Sequence, residues 1–191
     1  MSLPGTIQKR LCSYYGLDSV PDVGPFIEAR EDILRERVLV REGSDGIDVR
    51  VELPEAAMGP TPSLDLVCQV VEGVSHFVLI AERARCELPT SHLELEFQAE
   101  VDKFLILGVL PEPLPSLERV RLRWRLFDAV RYEDAAGTVT GDRYRLANRM
   151  AERFVDRLDR EFLRRSRMRE LRSYLQRFFR AGQTAKLELA A

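Results

Sequence analysis

The 191-residue chain has little lysine, histidine or cysteine. Lys9, Lys103 and Lys186 are the only lysines among 29 basic residues, so arginine carries nearly all the positive charge. The only histidines are His76 and His92, which leaves no basis for a histidine-rich metal centre. Cys12, Cys68 and Cys86 are odd in number, widely spaced and without a CxxC pair, which excludes a disulfide framework and a structural zinc cluster. That usage suits a reducing cytoplasm. No uninterrupted apolar run reaches the roughly 18 residues of a membrane span, and "MSLPGTIQKRLCSYYG" lacks the apolar stretch of a signal peptide. The expected location is therefore cytoplasmic, with no membrane partner. G-x-S-x-G, a glycine-rich phosphate loop and H-E-x-x-H are all missing, so hydrolase, nucleotide-dependent and zincin chemistries have no motif behind them.

What is present is the composition of an ordinary globular protein, 45% hydrophobic and 31% charged, enough for one core in a single domain over residues 1–191. The net charge of -2 hides a strong asymmetry. Residues 1–112 hold 10 basic against 20 acidic residues, and residues 113–191 hold 19 against 11. Halves of opposite sign attract each other, a second copy, or an outside partner of complementary charge.

Residues 1–35 read as a strap pinned by Tyr14, Tyr15, Val20 and Phe26. In 36–54, Val38 and Val40 alternate with polar residues before "GSDG", and Ile47, Val49, Val51 and Leu53 alternate after it, the pattern of an antiparallel β-hairpin. Ser63 and Ser91 are N-cap candidates for helices over 64–86 and 92–108. The stretch 116–130 alternates like a strand but is built from helix formers, and a helical stripe of Leu117, Val120, Trp124 and Phe127 favours helix. A long amphipathic helix follows over 143–163, then a last helix with Leu171, Leu175, Phe178 and Phe179, and a terminal tail over 181–191. The expected fold is α+β, mainly α: a bundle of about five helices over 63–180 with one N-terminal antiparallel β-hairpin.

Polar residues punctuate three of these helices at helical spacing: Gln69, Glu72, His76 and Arg83; Glu96, Glu100 and Lys103; Arg145, Asn148 and Glu152. Three readings follow. The leading one is solvated outer faces laced by pairs such as Glu100 with Lys103. The second is a buried, fully paired network that fixes helix register. The third is a site: Glu72, His76, Glu96 and Glu100 are the catalytic candidates, and Glu72, His76 and Glu100 are donors suited to divalent iron, manganese or zinc. Against the metal stands the spacing, because a di-iron bundle needs Glu-x-x-His on two helices and this chain has one Glu-x-x-x-His. No other cofactor is implied. His92, beside a helix cap, reads as surface, and Cys68 and Cys86 read as buried packing residues.

The basic half offers a different kind of surface. The run "RRSRMRELR" places Arg164, Arg165, Arg167, Arg169 and Arg172 around a single acid, Glu170. That density suits an acidic protein partner, a second copy or the phosphates of a nucleic acid, although no interleaved aromatic platform supports the last. The expectation is a non-catalytic cytoplasmic interaction or regulatory protein that binds a protein partner or itself. A metal-dependent or acid/base enzyme and a nucleic-acid binder are the alternatives.

Overall fold

The computed structural model describes residues 2–43 and 46–190. The chain is mainly helical, with seven α-helices and a three-stranded mixed sheet among the described residues. It divides into two compact units, one from the N-terminus to Ser13 and from Leu17 to Pro89, the other from Tyr14–Gly16 and from Thr90 onward. Helix α1, Leu3–Tyr15, gives its last two residues to the second unit.

In the first unit the expected hairpin is present as β2, Arg37–Gly43, and β3, Gly46–Pro54, paired antiparallel with Val38 opposite Val51 and Val40 opposite Val49. The central turn residues, Ser44 and Asp45, lie outside the described residues. The hairpin is not alone, however. Residues Ile27–Arg30 form β1, which pairs parallel with β3, so the strand order is β1-β3-β2 and the strap ends as a third strand. Ion pairs reinforce that edge, Arg50 to Glu28 at 3.1 Å and Arg30 to Glu52 at 3.9 Å. Val49, Val51 and Leu53 are buried as the alternation requires, whereas Ile47 at the hairpin's far end is exposed.

Helix α2, Leu64–Arg85, packs on β3, and Ser63 caps it by accepting from the Leu66 amide. Gly73 sets the closeness of that packing, since a Cβ there would lie 2.8 Å from Val51 Cγ1. The helix is long and apolar enough to cross a membrane by length and composition, and 61% of its most apolar window is buried inside the protein. Phe26 meets Phe77 with ring centres 4.9 Å apart, so the N-terminal segment is held to α2 by aromatic contact.

In the second unit α3, His92–Gly108, packs against α5, Val139–Glu161. Ser91 caps α3 as its sequence suggests, accepting from the Glu94 amide at 3.1 Å. Helix α5 begins four residues earlier than its apolar stripe indicates, because Thr138 accepts from the Gly141 amide and caps it there. Between them the ambiguous stretch is helical: α4, Ser116–Arg123, continues into a π-helical turn over Trp124–Asp128, with the Ala129 amide bonded to the Trp124 carbonyl. Asn148 of α5 donates to the Leu126 carbonyl within that turn. Its orientation differs from the stripe read in the sequence. Leu122, Leu126 and Phe127 are buried, while Leu117, Val120 and Trp124 face outward.

Helix α6, Met168–Arg180, buries Leu171, Leu175, Phe178 and Phe179, and Phe154 stacks on Phe178 at 4.3 Å between ring centres. The terminal segment is not a tail: Gln183–Ala190 forms α7, packed on α5 and α6.

Candidate functional site

The polar stripes occupy both units. Glu72 and His76 lie one turn apart on α2 of the first unit, His76 buried and Glu72 half-buried. Gln69 and Arg83 on the same stripe are also buried, which overturns the reading of a solvated face for this helix. Gln69 accounts for its own burial, donating to Asp65 at 2.9 Å and accepting from the Glu36 amide at 3.1 Å.

Glu96 and Glu100 lie on α3 of the second unit, Glu96 buried and Glu100 half-buried. Glu100 pairs with Lys103 at 2.9 Å, as expected, but that lysine is 8% exposed, so this pair too is internal rather than solvated. Glu72, His76, Glu96 and Glu100 all take part in polar or electrostatic interactions. On α5, Arg145 stacks over Tyr132 at 4.4 Å and donates to the Gly141 carbonyl, and Asn148 serves the π-turn. Burial raises the Tyr132 pKa, reinforced by the charge of Glu100 and opposed by Arg145 and Arg149.

One internal polar cluster involves residues the sequence did not single out as a site. Lys186 of α7 is 1% exposed and donates to Gln98 Oε1 at 2.9 Å, with Glu94 at 3.2 Å and the ring of Phe178 at 5.2 Å. Gln98 in turn donates to the Tyr15 hydroxyl at 3.0 Å and to Asp102 at 3.1 Å, and Tyr15 donates to Asp102. Burial, then the charge and hydrogen bond of Asp102, push the Tyr15 pKa well above its ordinary value. The cluster is sealed: Tyr15, Gln98, Asp102 and Lys186 are each at most 1% exposed, so it ties α1, α3 and α7 together rather than meeting a substrate. The available signal was Lys186, the only lysine in the basic half, placed among apolar neighbours.

The arginines of the basic run come together at an exposed turn. After α5 the chain makes a short 3-10 turn, Leu163–Arg165, then Ser166 adopts a left-handed conformation with φ 53°, and α6 starts at Met168. A side-chain-bearing residue in that region is uncommon. Arg164, Arg165, Arg167, Arg169 and Arg172 are all exposed.

Their electrostatic situations differ. Asp159, 1% exposed at its side chain, receives Arg119 at 2.8 Å and Arg164 at 2.7 Å, anchoring the base of the turn. Burial acts to raise the Asp159 pKa, but hydrogen bonds and charge from the two arginines outweigh it and leave it lowered. Arg167 pairs with Glu170 at 3.2 Å, and the Glu170 pKa is lowered, first by its backbone hydrogen bond and then by that arginine. Arg172 donates to the Tyr14 carbonyl at 3.2 Å, and Gln176 to the same oxygen at 3.1 Å, satisfying the C-terminal end of α1. Arg165 and Arg169 are exposed, and the charge of Arg169 also contributes to lowering the Glu170 pKa. Of the other residues read from the sequence, His92 is exposed as expected. Cys86 is exposed and Cys68 half-buried, so neither is the core packing residue expected.

No protein-family model matches the chain, and no curated protein or solved structure is significantly similar to it.

Proposed function

We propose that the protein is a non-catalytic cytoplasmic interaction protein whose second unit presents the Arg164–Arg172 turn to an acidic surface of a protein partner. The observation carrying this reading is the arrangement of charge: Arg165 and Arg169 are exposed, with Glu170 the one acid in the run, on a turn that Asp159, Arg119 and Arg164 hold in shape. A preorganised turn spends little conformational entropy on binding, and arginine forks favour bidentate contact with carboxylates. Sealed burial of the Tyr15 and Lys186 cluster also favours a non-catalytic role, because acid/base chemistry needs substrate within hydrogen-bond reach.

The test is quantitative capture from cell extract by the wild-type chain and by Arg165→Glu/Arg169→Glu, with nuclease treatment in parallel. A protein retained by the wild type, lost by the variant and indifferent to nuclease is the expected result. Equal capture by both, or capture that disappears with nuclease, would overturn the reading, the second outcome in favour of nucleic acid.

A further inference from the structure

Among the described side chains of α7, Lys186 is the one that is buried; Gln183, Thr184, Ala185 and Glu188 are exposed, and Leu187 and Leu189 are half-buried. An eight-residue helix with so little apolar surface to bury is marginal on its own in water, so the pocket of the lysine decides whether it docks. That pocket has the chemistry of an ammonium receptor. The Lys186 Nζ donates to Gln98 Oε1 at 2.9 Å and pairs with Glu94 at 3.2 Å, both on α3. The rings of Phe178 and Phe179 on α6 lie 5.2 and 5.7 Å from the same nitrogen. A carboxylate, an amide oxygen and two aromatic rings together favour a primary ammonium over a neutral group. Gln98 is itself held in place: its amide nitrogen donates to Asp102 at 3.1 Å and to the Tyr15 hydroxyl at 3.0 Å, which leaves its oxygen turned toward the lysine. The walls of the pocket come from α3 and α6, and α7 supplies the occupant.

The connection allows that occupant to leave. Helix α6 ends at Arg180 and α7 begins at Gln183, so the two are joined by Ala181 and Gly182 alone. Ala181 is extended, with φ -66° and ψ 139°, and a Cβ built on Gly182 meets no atom within 4 Å among the described residues. Rotation at this hinge swings α7 away without breaking α6. We infer that the pocket on α3 and α6 is a binding site for a lysine-bearing helix, that α7 is its resident ligand, and that α7 of a second copy binds it in trans. Exchange of this kind needs no new contact, since each pocket receives the same Lys186 from the other copy. The tether holds the resident helix at an effective concentration roughly in the millimolar range, so an outside helix competes only at comparable concentration. The site is independent of the arginine turn.

Amide hydrogen exchange in the isotope-labelled full chain, with and without about 1 mM of the unlabelled peptide GQTAKLELAA, residues 182–191, provides the test. The α7 amides should exchange at least about tenfold faster than those of α3 and α5, through openings of α7 alone. The peptide should accelerate exchange in α7 several-fold and leave α3 and α5 unchanged, because it takes the pocket whenever α7 is away. The same peptide acetylated on its lysine, which removes the charge, should have no effect. Exchange in α7 at the rate of α3 and α5 would overturn the proposal. So would a peptide without effect, or an acetylated peptide that acts equally. Lys186→Glu gives a second readout: its own helix no longer suits the pocket, so that chain should bind a fluorescent form of the peptide at least about tenfold more tightly than the wild type. Equal affinity of the two chains would overturn the proposal too. The exchange measurements use the wild-type chain alone and decide the matter even if Lys186→Glu does not fold.

Discussion

At the residue scale, the decisive groups are buried polar side chains whose neighbours settle their protonation. Asp159 illustrates the direction of the effect: its pKa is lowered by Arg119 and Arg164 despite burial. Its contribution to stability is complete above the ordinary carboxylate value of about 4 and is lost as pH falls through the lower folded value. Asp159→Asn should cost about 3 kcal/mol in urea unfolding at pH 7, because it leaves Arg119 buried beside a neutral group. The same variant should show a shallower loss of stability in acid. The tyrosines act at the other end of the scale. Tyr14 is raised to about 12 by burial, against the opposing charge of Arg172, and Tyr15 is raised well above its usual range. Raised folded values mean that stability is intact below about pH 10 and falls as pH climbs, since the unfolded chain releases those protons first. Melting temperature followed from pH 8 to 12 should decline above about pH 10, and Tyr14→Phe/Tyr15→Phe should flatten that decline.

At the scale of elements, the sequence showed the helices best where an apolar stripe met a capping side chain, as with Ser63 and Ser91. It showed the hairpin through strict alternation around a glycine-rich turn. It missed β1 because "IEAR" is short and alternates weakly, and its strand character comes from parallel pairing with β3, a contact distant in sequence. It placed α4 correctly as helix but turned the wrong side inward. Leu117, Val120 and Trp124 fit a stripe as well as Leu122, Leu126 and Phe127 do, and contacts distant in sequence, Arg119 to Asp159 and Arg123 to Asp156, go with the choice. Helix α7 looks like a tail in sequence for a similar reason: its apolar pattern is weak, and a buried lysine, Lys186, anchors it. Lys186→Ala should therefore cost about 3 kcal/mol, leaving Glu94 buried without its cation, as measured by chemical denaturation. On α2, His76→Ala should cost about 1 to 3 kcal/mol, against the under 0.5 of a solvated position, because His76 is buried. Metal analysis of that variant beside the wild type gives a second readout. Stoichiometric iron, manganese or zinc lost on substitution would revive the enzyme reading of Glu72 and His76.

At the scale of the whole molecule, the charge asymmetry follows the division into units but in diluted form. The first unit holds nine basic against fifteen acidic residues, and the second holds twenty against sixteen. The reason is α3, whose Glu94, Glu96, Glu100 and Asp102 belong to the acidic half by sequence and to the basic unit by packing. Lys103 and Lys186 answer two of those acids internally. The candidate surface was legible as a density of arginines, but the sequence could not separate Arg172, committed to the end of α1, from Arg165 and Arg169, which face water. That separation makes the central claim testable. The most direct measurement is the affinity of the captured partner for wild type and Arg165→Glu/Arg169→Glu at 50 and 500 mM salt, with unfolding checked to agree within about 0.5 kcal/mol. The account predicts wild-type binding that weakens markedly with salt and is lost in the variant; equal affinity for both proteins, unmoved by salt, would contradict it.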